Sequence, residues 1–147
     1  MQFILEQSGV TGKPVVAVGG FHNGGLRYIL LAKKAGYKIM AVADKSSALI
    51  DLGGNGGLNI SELINLRKSG SDFSAVNLEK VRKTKPEFLL KMEVDILIPE
   101  IFKGVINENN ASDIRAKVVI APEKGLITKN AAKILEEKLI PIIRLYS

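Results

Sequence analysis

A glycine-rich segment near the start of the chain combines residues that can bind a phosphorylated ligand. Residues 20–25 read Gly-Phe-His-Asn-Gly-Gly, directly after the apolar run PVVAVG and directly before an amphipathic stretch. In a strand–turn–helix unit, a first glycine permits the tight turn and a last glycine lets the helix pack against the strand. Gly20 and Gly25 occupy these two positions. The free N–H groups at the start of the helix favour an anion, so the segment predicts a pyrophosphate-binding turn.

The middle position of this fingerprint normally holds a second glycine, which lets the backbone approach the pyrophosphate. Here it holds His22, the only histidine of the chain, between Phe21 and Asn23. The imidazole either fills the space of a phosphate or swings outward and donates a hydrogen bond to the anion. We favour obstruction or weakened binding. Asn23, Gly24 and Gly25 remain compatible with a smaller anion such as phosphate or sulfate.

An acidic residue follows at the distance that a dinucleotide site requires. Asp44 directly follows the apolar run KIMAVA, and it lies a little over 20 residues after Gly20, the first glycine of the turn. A carboxylate at this position meets the adenosine ribose hydroxyls in dinucleotide-binding domains. The alternative is that Asp44 caps or stabilises a turn. Lys45, the next residue, could instead favour a ribose 2′-phosphate.

Five short apolar runs are expected to be the strands that position these residues. Their continuous rather than alternating apolar character is typical of strands covered on both faces, as in a parallel sheet. The runs are Pro14–Gly19, Lys38–Ala43, Asp95–Pro99, Lys117–Ala121 and Ile140–Leu145.

Helical patterns alternate with these runs. They cover Gly25–Gly36, Ile60–Gly70 with Ser61 as expected N-cap, and Thr128–Leu139 with Thr128 as expected N-cap. The alternation predicts a single α/β domain over residues 1–147, a Rossmann-like doubly wound parallel sheet with helices on both faces. Residues 51–59 read as a turn or loop. Residues 69–92 fit either two short helices or a helix and an edge strand.

The composition excludes several classes of site. The chain has no cysteine and one histidine, so we predict no disulfide, no thiol nucleophile and no metal site. No run is long enough to span a membrane and no secretory signal is visible, which predicts a soluble cytoplasmic protein. The net charge of +6 attracts anions, but the basic run 79–85 lacks interleaved aromatic residues. It is interpreted as a solvated surface rather than a nucleic-acid site.

These motifs together resemble the cofactor-binding domain of the glutamate, leucine, phenylalanine and valine dehydrogenases, from about Thr11 to Pro141. VVAVGGFHNGG is similar to the family's strand followed by G-F-G-N-V-G, and KIMAVADKSSALID resembles its second strand, acid and small-residue turn. The stretch from Val94 to Gly125 resembles a D-I-L-I-P strand end, a helix around N-x-I-T-x-x-N-A and a strand K-I-V-V. The matching residues in that stretch are Asp95, Ile96, Leu97, Ile98, Pro99, Ile106, Asn109 or Asn110, Ala111, Lys117 and Val118.

The resemblance implies a domain that binds NAD or NADP and contributes to the reversible oxidative deamination of an amino acid. It implies cofactor contacts from the glycine turn, Asp44, Lys45, Pro99 and Glu100. The family's catalytic lysine and aspartate belong to a separate domain, so no catalytic residue is predicted here and the chain alone is expected to be inactive.

Three departures from the family pattern suggest an alternative. His22 replaces a glycine, Glu123 or Lys124 stands where an asparagine approaches the nicotinamide, and IIRLYS replaces the continuation D-x-x-A-N-A-G-G. The alternative is a non-catalytic module that binds a nucleotide or a smaller anion and has lost dehydrogenase activity. Expected partners are therefore a dinucleotide or anion, and either a separate catalytic domain or a second copy of the chain.

Overall fold

Seven strands form one sheet, and the five predicted apolar runs supply its parallel part. The computed structural model describes residues 9–10, 12–22, 24–53 and 56–146. The strands are β1 (Val15–Val18), β2 (Lys38–Ala43), β3 (Ala48–Asp51), β4 (Val81–Thr84), β5 (Ile96–Ile98), β6 (Val118–Ala121) and β7 (Ile142–Arg144). Their order across the sheet is β4-β3-β2-β1-β5-β6-β7. Strand β1 pairs in parallel with both β2 and β5, and β6 and β7 continue the parallel pairing.

Strands β3 and β4 were not predicted, and both pair antiparallel. Strand β3 returns along β2 after the short turn 44–47, a connection that only antiparallel strands can use. The first three residues of β3 are apolar and buried. The family resemblance predicts a small-residue turn in this segment, whereas the structure has a strand. Strand β4 is the sheet edge and reads Val-Arg-Lys-Thr; charged side chains are typical of an edge that must not pair with another chain.

Three α-helices lie at the predicted places: α1 (Gly25–Lys34), α2 (Ile60–Lys68) and α3 (Lys129–Glu137). Thr128 caps α3 as predicted, because its side chain accepts a hydrogen bond from Ala131 N. The predicted N-cap of α2 was wrong by two residues. Asn59 is the N-cap, and its side chain accepts a hydrogen bond from Glu62 N, whereas Ser61 lies inside the helix. Asn59 is the residue with extended backbone angles, which is what an N-cap requires.

Residues 69–92 contain two short 3-10 helices and the edge strand β4. The 3-10 helices are Phe73–Ala75 and Pro86–Lys91, and a third, Ala111–Asp113, lies between β5 and β6. Within the predicted loop 51–59, Asp51 ends β3 and Gly54 and Asn55 lie outside the described residues.

Two apolar clusters cover the two faces of the sheet, which confirms the doubly wound α/β architecture. One cluster contains Ile29 of α1, Leu63 of α2 and Phe73 together with side chains of β1, β2 and β5. The other contains Leu135 of α3 and Leu90 of the second 3-10 helix, with alternate side chains of the same strands. Because both faces are covered, the strands can be continuously apolar. In the described part of the chain, none of the helices is long and apolar enough to cross a membrane.

Candidate functional site

The glycine turn lies where the strand order changes direction, between the carboxyl ends of the two strands that flank β1. Gly19 N donates to Ile98 O of β5 at 2.8 Å, and Phe21 N donates to Ala43 O of β2 at 2.8 Å. Gly20 has φ +76°, a conformation that favours glycine. The turn is thus attached to both neighbouring strands at the switch point, which is where open α/β sheets bind their ligands.

Gly25 is required by the packing of α1 against β1. A Cβ atom at this position would lie 2.0 Å from Gly19 O and 2.6 Å from Gly20 C, and backbone atoms cannot move aside as a flexible side chain can. Gly25 N donates to Gly20 O at 2.9 Å. Close helix–strand contact is the function of the last glycine in this type of turn. The helix therefore begins directly against the end of β1.

Phe21 belongs to the core rather than to the open surface of the crevice. Its ring is 2% exposed and lies 4.7 Å from the ring of Phe73, centroid to centroid. The guanidinium of Arg67, near the end of α2, lies over the Phe21 ring at 5.7 Å. Arg67 also donates to Phe21 O, and to His22 O at 2.8 Å. Sequence reasoning missed Arg67. Its two hydrogen bonds stabilise the glycine turn on the side of the turn that faces β2.

His22 is half-buried beside two cations. Burial lowers the pKa of His22, Lys45 and Arg67 lower it further, and Asp44 opposes the shift. The imidazole is therefore neutral at physiological pH. Among the described residues other than glycine, only Lys80 and Leu139 have positive φ, so the backbone at position 22 is one that histidine adopts without strain. Asn23, the next predicted contact, lies outside the described residues.

Asp44 lies at the predicted strand end, and its carboxylate is engaged with the protein itself. Its Oδ1 accepts from Ser46 N at 2.8 Å, Ser46 Oγ at 2.7 Å and Ser47 N at 3.0 Å. Its Oδ2 accepts from Phe73 N at 2.7 Å, and the residue is 4% exposed. These bonds stabilise the turn between β2 and β3 and connect it to the first 3-10 helix. Lys45, by contrast, is exposed.

Pro99 and Glu100 follow β5 in a three-residue turn on the other side of β1. Ile101 N donates to Pro99 O at 2.8 Å, which places Glu100 at the centre of the turn. Glu100 is 8% exposed, and its Oε2 is buried with no hydrogen-bond partner in the described structure. A Cβ atom on Gly24 would lie 2.7 Å from Glu100 Oε1, so the carboxyl group lies against the turn. Burial raises the pKa of Glu100, Glu123 raises it further, and Arg27 opposes them.

The loop after β6 carries the residues expected near the nicotinamide end. Glu123 and Lys124 are both exposed, and Glu123 is close enough to Glu100 to affect its titration. The site therefore has two sides of different charge. Lys45 and Arg67 lie on the side of β2, and the two glutamates lie on the side of β5.

A separate cavity lies elsewhere among the described residues. It measures about 590 Å³ and is lined by residues of β3, α2 and the segment before β4, including Asp51, Glu62 and Lys80. Asp51 is at the end of β3 that lies away from the turn 44–47, so the cavity is remote from the carboxyl ends of the parallel strands. We place the candidate site at the switch point because the glycine geometry, and not cavity size, defines a phosphate-binding turn.

Comparisons with known proteins agree with this architecture. The sequence model of the family "Glutamate/Leucine/Phenylalanine/Valine dehydrogenase" matches residues 2–145. The glutamate dehydrogenase of Thermotoga maritima is 33% identical over 132 residues, which are 89% of this chain and 30% of that protein. The NADP-specific glutamate dehydrogenase of Saccharolobus shibatae is 30% identical over 135 residues, 92% of this chain and 30% of that protein.

Similarity in structure extends over nearly the whole chain. The hetero-hexameric glutamate dehydrogenase of Thermus thermophilus, in its Leu-bound form, superposes with a TM-score of 0.80 at 20% identity. The superposition covers 98% of this chain and 33% of that one. The chain thus spans about 30% of the length of the curated relatives it matches. Because the family's sequence model matches almost every residue, this chain belongs to the glutamate/leucine/phenylalanine/valine dehydrogenase family.

Proposed function

We propose that the chain is a nicotinamide-dinucleotide-binding domain, with the ligand lying across the carboxyl ends of β1, β2 and β5. The observation that carries the proposal is the turn 20–25. It lies at the switch point of the sheet, and its Gly25 leaves no room for a side chain between α1 and β1. This combination brings the N-terminus of α1 to the sheet edge, where backbone N–H groups favour phosphate.

The residues of the crevice fit the dinucleotide in part. Gly24 and Gly25 present backbone to the pyrophosphate, and Gly20, Phe21 and His22 belong to the preceding turn. Asn23 is proposed as a further contact from the sequence alone. Lys45 is exposed and suited to a ribose 2′-phosphate. Asp44 can meet a ribose hydroxyl only by sharing acceptor positions that already receive four hydrogen bonds. This arrangement favours NADP over NAD. Pro99 and Glu100 bound the crevice on the β5 side.

The proposed reaction is the reversible oxidative deamination of an amino acid, in combination with a separate catalytic domain. The nicotinamide, when bound, supplies hydride acceptance and donation. The residues of this chain bind and orient the cofactor, and they form one wall of a cleft. Catalysis also needs acid–base groups positioned on the substrate. We propose that these come from the other domain, as the partial coverage of the relatives supports.

Calorimetric titration of the purified chain with NADH and NADPH tests the binding proposal. We expect micromolar binding, with NADPH the tighter ligand. Lys45→Ala should weaken NADPH binding more than NADH binding, because only NADPH carries the 2′-phosphate. Lys34→Ala is the matched control, since Lys34 ends α1 away from the sheet edge that holds the turn. If neither dinucleotide produces heat or a thermal shift at millimolar concentration, the proposal is wrong.

A second candidate function is a non-catalytic module that binds a smaller anion. This function is favoured by the half-buried imidazole of His22 and the buried carboxyl of Glu100, because both side chains reduce the space for a ligand beside the turn. Titration with inorganic phosphate separates the candidates. Phosphate binding without dinucleotide binding supports the module, whereas competition between phosphate and NADPH supports the dinucleotide site.

A further inference from the structure

Glu100 is a buried acid, and one of its carboxyl oxygens has no hydrogen-bond partner among the described residues. It is 8% exposed, and the described residues offer its Oε2 no donor. Buried carboxylates are normally paired or hydrogen-bonded, because an ion loses its hydration on burial. An exception at a ligand-binding edge points to function rather than to fold stability.

The position of Glu100 is set by backbone geometry. The bond from Ile101 N to Pro99 O closes a tight turn directly after β5, and Pro99 restricts the chain on the other side. Glu100 Oε1 comes so near Gly24 that an added Cβ there would be 2.7 Å away. The carboxyl therefore lies at the first turn of α1, on the surface to which the proposed function assigns the pyrophosphate.

Two charged groups from neighbouring elements act on this carboxyl. Arg27 from the first turn of α1 favours the ionised form, and Glu123 from the loop after β6 disfavours it. Burial also disfavours it, and burial is the largest of the three effects. The balance keeps Glu100 closer to protonation than a carboxyl on the surface.

We propose that Glu100 controls the phosphate affinity of the turn 20–25, by opposing bound phosphate when ionised and admitting it when protonated. The inference rests on the proposed function, because it concerns the same turn. An ionised carboxylate and a pyrophosphate at one helix N-terminus repel each other, and burial of the Glu100 side chain reduces the screening of this repulsion by water. The neutral acid removes this repulsion and can donate its proton to a phosphate oxygen.

Binding and protonation are then linked. A bound pyrophosphate makes Glu100 harder to ionise, so dinucleotide binding takes up a proton from the buffer. At most one proton moves from solvent to the Glu100 carboxylate for each ligand bound, and no covalent bond forms. Affinity should therefore rise as pH falls through the raised pKa of Glu100.

The experiment compares the wild-type chain with Glu100→Gln, Glu100→Ala and the control Glu137→Gln. Glutamine keeps the shape and removes the charge, whereas alanine removes both. Glu137 is an exposed glutamate at the end of α3, which lies away from the site, and its replacement changes the net charge equally. NADPH and ADP-ribose are titrated calorimetrically at pH 5.5 and pH 8, in two buffers of different ionisation enthalpy.

We expect Glu100→Gln to bind both ligands about tenfold more tightly at pH 8, which corresponds to about 1.4 kcal/mol. The gain should shrink at pH 5.5, and the wild type should take up more protons on binding than Glu100→Gln does. Protonation of His22 acts in both proteins, so the ratio of their affinities isolates Glu100. Melting curves show that each variant is folded, and Glu100→Ala replaces Glu100→Gln if the latter is not.

The outcomes separate the two proposals. Equal affinities for wild type and both Glu100 variants, with no difference in proton uptake, would overturn the inference and leave dinucleotide binding standing. Binding that appears or tightens only in the Glu100 variants supports both. Absence of binding in every folded variant contradicts the proposed function, and the inference is overturned with it.

Discussion

Asp44 and Glu100 are both buried acids at the ends of parallel strands, one on each side of β1, yet their surroundings are opposite. Asp44 accepts four hydrogen bonds from backbone and serine donors, and it connects β2, β3 and the first 3-10 helix. Glu100 has an oxygen to which no described residue donates, and it lies against the glycine turn. A buried carboxylate with its bonds satisfied stabilises a fold, whereas one without them reduces stability and is available to a ligand.

The same contrast appears in the charges around the two acids. Lys45 and Arg67 gather near the turn on the Asp44 side, and both lower the pKa of His22. On the other side Glu123 adds to the effect of burial on Glu100. An anion is therefore favoured over the β2 side of the crevice, whereas on the β5 side the two glutamates oppose it and Arg27 favours it. A dinucleotide must cross both, so its affinity depends on the balance between them.

The largest effect should come from breaking the turn that both acids flank. Gly25→Ala should lower the free energy of unfolding by about 4 kcal/mol, because the new Cβ meets the Gly19 carbonyl. Gly24→Ala is the matched comparison, since the three atoms nearest to its Cβ all belong to the carboxyl group of the Glu100 side chain, and it should cost about 1 kcal/mol or less. Urea unfolding of both variants measures the difference. Equal losses would contradict the packing assigned to Gly25.

Removing the satisfied acid should be the next largest effect. Asp44→Ala should destabilise the chain by about 3 kcal/mol, because it leaves buried donors of Ser47 and Phe73 unpaired. Asp72→Ala is the control, since exposed Asp72 caps the first 3-10 helix through Ser74, and it should destabilise the chain much less than Asp44→Ala does. A loss at Asp44 no greater than that at Asp72 would show that Asp44 is not a structural acid.

Removing the unsatisfied acid should have a smaller effect of opposite sign. The folded-state pKa of Glu100 is raised, so the contribution of Glu100 to stability is fully present below the ordinary carboxyl pKa and is lost as pH rises through the raised value. Glu100→Gln carries no charge and should be more stable than wild type by about 1 kcal/mol at pH 8. The difference should vanish near pH 4. Thermal unfolding across this range measures it, and a pH-independent difference would contradict the assignment.

The smallest effect should come from His22. Replacing it by glycine should strengthen NADPH binding by a few-fold at pH 8, because a half-buried imidazole that carries no charge is removed from the turn. His22→Asn is the control that keeps a polar side chain of smaller size. Calorimetric titration measures both. Unchanged affinity in His22→Gly would show that the imidazole does not obstruct the ligand.

The strand and helix pattern was predictable because it depends on local order. Continuous apolar runs marked β1, β2, β5, β6 and β7, and Thr128 was recognisable as a cap. Strands β3 and β4 were missed because a four-residue strand and a charged edge strand carry little signal of their own. Ser61 was expected to cap α2, and Asn59 does so instead. Both residue types can cap a helix, and the backbone angles that decide between them are not visible in a sequence.

The sequence by itself determined the family, the doubly wound architecture and the place of the glycine turn. These features follow from the order of the residues and from positions that only glycine can occupy. Tertiary structure decided what the polar residues around the turn do. Arg67 donates hydrogen bonds to Phe21 O and His22 O, although at least 45 residues separate it from them in the sequence. Asp44 accepts a hydrogen bond from Phe73 N. Glu100 meets Gly24 only because β5 lies beside β1. Such contacts depend on which strands become neighbours, and no local pattern encodes the charge that each side of the crevice presents.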